Sequence, residues 1–198
     1  MSLFRKFIAL CASRAGQILN MSNLANECGI SSPTVKAWLS ALENSYVVFL
    51  LQPYYKNFSK RITKSPKLYF CDTGLLCYLL RINDVSQINN QVKGALFENF
   101  IISEYVKRKH HKNEKQTDLW FWRDSEGNEV DLLLQKPQGT EIVEIKSTQT
   151  IMPDLFKGLN YYSALEKEVK LTKTLVYAGS VRQNRSVAQV LPWNEIDI

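Results

Sequence analysis

The sequence predicts an α/β protein in two parts: a small helical domain closed by a strand pair, then a mixed central sheet flanked by helices. Three observations carry that expectation. Between Phe4 and Leu42 apolar residues recur at spacings of three and four, interrupted by Gly16 and Gly29. Two runs rich in β-branched and aromatic residues, 46–51 and 67–71, follow as strands. From residue 92 onward the order reads helix, strand, strand, strand, helix, strand.

The first helix spans residues 4–14, with Phe4, Phe7, Ile8, Leu10 and Cys11 on one face, and Gly16 ends it. Ser22 is placed to cap a second short helix, whose inner face is Leu24, Ala25 and Cys28. Gly29 turns the chain. Ser31, Ser32 and Pro33 open a third helix, with proline at its first turn, where a missing N–H costs nothing. A short helix, a glycine turn and a capped longer helix form a helix-turn-helix. With two strands and a basic, aromatic tip at 52–66 added, it becomes a winged helix. Asp72 caps one more helix through Arg81. Residues 1–82 are therefore assigned to the winged helix, 83–90 to a polar linker and 91–198 to the second domain.

That second domain opens with a helix at 92–108, buried along Leu96, Phe97, Phe100, Ile101 and Val106. Strands follow at 119–123, 129–135 and 141–147, with a hairpin turn at Gly127 and Asn128. A helix at 153–165 and a strand at 174–178 complete the core, and the tail from Gly179 reads as polar.

Composition sets limits. With 45% hydrophobic and 22% charged residues the chain is ordinary for a globular protein, and no apolar run approaches the roughly 18 residues of a membrane span. A cytoplasmic location is the default expectation. Cys11, Cys28, Cys71 and Cys77 lack ligand spacing, and His110 and His111 are distant, so zinc is disfavoured. The net charge of +6 is one-sided: residues 1–90 hold ten Lys/Arg against four Asp/Glu, and the remainder fifteen of each. A basic surface favours a polyanion, nucleic acid first. Ser32, Thr34 and Lys36 on the recognition helix are suited to phosphate or base edges. Lys56, Lys60, Arg61 and Lys64 on the wing suit the DNA backbone. The competing use of this module is protein interaction.

The charged residues of the second domain are oddly placed for mere solubility. Asp131 interrupts an apolar strand. Glu144 and Lys146 flank Ile145, so they share one face of theirs. Two carboxylates can hold a hard divalent cation, and a neighbouring lysine can orient water and steady charge on a phosphate. That combination is the chemistry of metal-dependent phosphodiester cleavage.

The segments "GALFENF", "LWFWRDSEGNEVDLLL" and "EIVEIKS" resemble the nuclease-like C-terminal domain of a large set of bacterial and archaeal proteins. In those proteins an AAA-type ATPase module comes first, then a winged helix, then this domain of unassigned function, grouped with the PD-(D/E)XK superfamily. The resemblance covers nearly the whole chain from Phe4. It implies a restriction-endonuclease-like fold, magnesium or manganese as cofactor, DNA as partner and the ATPase module as neighbour. By position, Glu98 matches the first acidic residue, Asp131 and Glu144 the metal-binding carboxylates, and Lys146 the catalytic lysine. Val130 stands where the superfamily name has proline. Lys157 and Tyr161 fall at the variable fourth motif, and with Arg123 are candidate phosphate contacts, although a surface ion pair of Arg123 with Asp124 or Glu129 is favoured. No G-x-x-x-x-G-K-[ST] occurs, so no ATP site is expected in this chain. The chain opens inside an apolar helix pattern and reads as the rear portion of something longer. The alternative is a regulatory module, binding DNA or protein, on a degenerate nuclease scaffold.

One geometric expectation follows. A symmetric five-residue loop at 136–140 pairs Gln135 with Glu141 and sets Asp131 opposite Ile145, away from Glu144. A working site needs that register shifted by one, or a bulge near Asp131.

Overall fold

A computed structural model describes residues 2–55, 63–112 and 118–196. Two compact units emerge, Met1–Leu51 with Ser65–Ser103, and Gln52–Lys64 with Glu104–Ile198.

The first unit holds the helices and most of the strand pair of the winged helix. Helices α1 (Leu3–Ala12), α2 (Met21–Cys28) and α3 (Ser32–Asn44) precede an antiparallel pair formed by β1 (Val48–Pro53) and β2 (Lys67–Phe70). Asn20, rather than Ser22, caps α2, because its side chain accepts from the Asn23 N–H at 3.0 Å. Gly29 closes that helix in the left-handed conformation at φ +79°. Ser31 caps α3 through the Thr34 N–H, as the Ser-Ser-Pro signature requires. Phe7, Cys11, Leu24, Cys28, Val35, Leu39, Leu68 and Phe70 share one core. Burial lifts the Cys11 thiol to about 12, with Arg14 pulling it down and Cys28 pushing it up, so it stays an inert core group. A bridge from Ile18 to Lys67 adds a third extended segment beside β2. Asp72 caps α4 (Thr73–Leu79) through the Leu75 N–H.

Helix α5 (Asn90–His111) is counted with the first unit through Ser103 and with the second thereafter. The second unit is a mixed sheet flanked by helices. Gln52 and Pro53, the last residues of β1, pair in parallel with β3 (Leu119–Arg123). Next come β4 (Glu129–Lys136) and β5 (Gly139–Lys146), both antiparallel to their predecessors. Strand β6 (Leu171–Tyr177) runs parallel to β5, reached through α6 (Lys157–Leu165). The tail supplies two strands, β7 (Gln183–Asn184) and β8 (Gln189–Pro192), where a polar stretch was expected. Leu159 and Tyr162 of α6 pack with Trp122, Leu133, Ile142, Leu175 and Tyr177 on one face of the sheet. Val143 and Ile145 are buried on the other.

Candidate metal centre

Strands β4 and β5 build the candidate site. Lys136 pairs with Gly139, so only Pro137 and Gln138 form the turn. The five-residue loop is thereby corrected, and Gly139 is the reason. Its φ is +140°, and a Cβ there would fall 2.2 Å from the Lys170 carbonyl oxygen. Only glycine lets β5 start so early, against the backbone that leads into β6. The tighter turn shifts the register by one. Leu132 pairs with Val143, the last pair of this ladder, and Asp131 and Glu144 lie just beyond it. On the other edge of β4 the register slips between Trp120 and Trp122, so Asp131 and Leu132 together face Phe121. This is a β-bulge, a device that re-aims a side chain. Shift and bulge both occur where a site required one of them.

The side chains converge accordingly. Asp131 is 6% exposed and Glu144 7%. Lys146 Nζ lies 2.5 Å from Glu144 Oε1 and 3.9 Å from Asp131 Oδ2. Asp131 Oδ2 also accepts the Ile145 N–H at 2.7 Å, which fixes its orientation. Helix α6 presses on this place: a Cβ on Gly158 would lie 2.3 Å from the Glu129 carbonyl oxygen and 2.8 Å from Glu144 Oε2.

Sequence reasoning missed Glu129. One of its carboxylate oxygens lies within 4.8 Å of one from Asp131. The signal was available, because residues 129 and 131 share a strand face by the alternation already applied to 144 and 146. Carboxylate donors such as those of Glu129 and Asp131 suit a hard divalent cation such as magnesium or manganese.

Among the candidate phosphate contacts, Arg123 Nη1 pairs with Glu129 Oε2 at 2.9 Å, across the ends of β3 and β4. Tyr161 donates its hydroxyl to Asp124 Oδ2 at 3.2 Å. Burial pushes the Asp124 carboxyl up, but bonds from Asn128, Tyr161 and the Glu126 amide outweigh it, and the group titrates below its ordinary value. Lys157 is exposed on the first turn of α6.

Glu98 is placed by the first unit. Its Oε1 accepts from Lys67 Nζ at 3.0 Å and from the Tyr69 hydroxyl at 2.6 Å. On α3, Ser32 and Lys36 are exposed, whereas the Thr34 hydroxyl is tied to that of Ser31 at 2.7 Å. Lys64 is exposed in the second unit. Lys56, Lys60 and Arg61 lie outside the described residues. No helix among the described residues is long and apolar enough to cross a membrane.

Comparison with known sequences divides the chain in two. Residues 1–86 match a family described as "Domain of unknown function (DUF8612)", and residues 93–196 one described as "Domain of unknown function (DUF4143)". Two curated relatives, each called an uncharacterized protein, come from Mycobacterium bovis and Mycobacterium tuberculosis. Each is 31% identical over 182 residues, 90% of this chain and 38% of the relative. The chain thus spans about 38% of the length of these relatives. No solved structure matches it.

Proposed function

The chain belongs to the family described as "Domain of unknown function (DUF4143)", and we propose that it acts on DNA as a metal-dependent phosphodiester-cleaving module. The observation that supports this reading is the Lys146 ammonium within reach of two buried carboxylates, Asp131 and Glu144, at the end of the shifted ladder. Asp131 and Glu144 would hold magnesium or manganese, with Glu129 beside them. Glu98 enters through the family resemblance. A bound divalent ion supplies Lewis acidity toward a phosphate and a more acidic water. Lys146, 35% exposed at its side chain, orients that water and offsets charge gathering on the phosphate. Arg123 and Lys157 are proposed phosphate contacts. The winged helix supplies backbone-led affinity through Ser32, Thr34, Lys36, Lys64 and the basic residues Lys56, Lys60 and Arg61. In the longer protein that the resemblance implies, an AAA-type ATPase module precedes this region, in the cytoplasm, and ATP chemistry belongs to that module.

A specific observation favours a second reading. Glu144 already pairs with Lys146 at 2.5 Å, and Glu129 with Arg123 at 2.9 Å. A sheet whose carboxylates are balanced by its own cations suits a degenerate scaffold serving as a regulatory module for DNA or protein.

Manganese calorimetry on wild type, Glu144→Ala and Asp131→Ala, followed by plasmid nicking on the same samples, separates the two. Binding lost in both variants, with nicking by wild type alone, supports the nuclease. DNA binding with a steep salt slope and no metal affinity supports the second reading.

A further inference from the structure

We infer that Lys67 and Tyr69 are positioning residues for Glu98, so that a strand of the winged helix sets the carboxylate on α5. The inference rests on the reading of Glu98 as an acid of the proposed chemistry. Strand β2 alternates. Leu68 and Phe70 enter the core of the first unit. Lys67 and Tyr69 take the opposite face, at 2% and 0% exposure. Both donate to one oxygen, Glu98 Oε1, at 3.0 and 2.6 Å.

An ammonium buried that deeply is costly unless a charged, hydrogen-bonded partner offsets its lost hydration. A leucine or methionine of similar size would fill the place without that cost, so packing does not account for the amine. Docking of α5 does not account for it either, because the next residue already does that. Asn99, 0% exposed, accepts the Phe70 N–H at 2.8 Å. It donates to the Phe70 carbonyl at 3.0 Å and to Thr73 Oγ1 at 3.3 Å. One side chain thus pins the helix to the end of β2, and the adjacent carboxylate has two donors of its own. Two donors on Oε1 hold Glu98 in one rotamer and direct an incoming ligand to Oε2.

The test titrates manganese into the full chain by calorimetry, with a thermal melt on every sample. Wild type is compared with Tyr69→Phe, Glu98→Gln and their double variant, and with Lys67→Met and Lys67→Arg. Loss of the Tyr69 hydroxyl in Tyr69→Phe weakens manganese binding about 10-fold, the scale expected of a supporting partner. It adds nothing in the Glu98→Gln background, because its effect travels through that carboxylate. Lys67→Met weakens binding similarly, and Lys67→Arg restores most of it. Unchanged affinity in Tyr69→Phe, or an additive loss in the double variant, overturns the positioning role while leaving metal binding through Asp131 and Glu144 standing. No manganese binding by wild type sinks the metal reading itself, and this inference with it.

Discussion

The exposed cations of the first unit, Arg5, Lys36, Arg81 and Lys93, stand at its surface. The second unit instead sets Asp131 and Glu144 inside a strand pair at 6% and 7% exposure. Exposed charge is well hydrated, screened by salt and able to meet a partner from solution. Buried charge is held in place by the fold and stays costly unless something compensates it. Under the proposed function, exposed cations such as Lys36 would supply affinity for a polyanion, and the buried carboxylates Asp131 and Glu144 the metal chemistry. Lys67 is the exception that helps the rule, since the first unit buries that lysine against Glu98.

The largest expected effect breaks the comparison at its sharpest point. Under the proposed role of its amine in the chemistry, Lys146→Ala should lower the nicking rate by about 100-fold or more while leaving duplex affinity intact. Single-turnover nicking and fluorescence anisotropy on one preparation check this. A variant that nicks normally would remove Lys146 from the mechanism. A variant that loses DNA affinity instead would mean that the second unit also carries binding.

Next in size is a backbone effect. Gly158→Ala puts a methyl group 2.3 Å from the Glu129 carbonyl oxygen, so α6 or β4 must move. Overpacking of this kind costs about 1–3 kcal/mol, read by urea unfolding. Tyr46 is the counterpart in the first unit. It follows α3 at φ 54°, and the Val47 N–H bonds back to the Leu42 carbonyl at 2.9 Å. Helices usually end this way on glycine. Tyr46→Gly should therefore stabilise the chain by about 0.5–1 kcal/mol, relief of the left-handed strain outweighing the added freedom of the unfolded chain. A destabilised Tyr46→Gly would show that the exposed ring has a packing role.

How much of this was legible follows from the range of each signal. The helix-turn-helix is written locally, in Gly29, Ser31 and Pro33, and the structure bears it out. The face shared by Glu144 and Lys146 is written in strand alternation. The register was not, because loop length alone gives the wrong pairing. The turn tightens only because Gly139 meets Lys170, a contact invisible to local pattern. The partners of Glu98 lie 31 and 29 residues away in sequence, beyond any periodicity. Strands β7 and β8, of two and four residues, are too short to show a period.

The smallest effect tests the other half of the contrast. Lys36 is exposed on α3 among Ser32, Ala37 and Ser40, so its amine can follow a phosphate without breaking any packing. Each phosphate neutralised releases about 0.9 of a counterion from duplex DNA. Lys36→Ala should thus weaken duplex binding only a few-fold, equally for unrelated sequences, and flatten the salt slope by about one unit. Anisotropy titrations between about 50 and 200 mM salt read both quantities. Manganese affinity should be unchanged, because the residue sits on the surface of the first unit. A loss confined to one DNA sequence would make Lys36 a base-reading residue. An unchanged slope would move the polyanion contact off α3, to Lys64 and its basic neighbours in sequence.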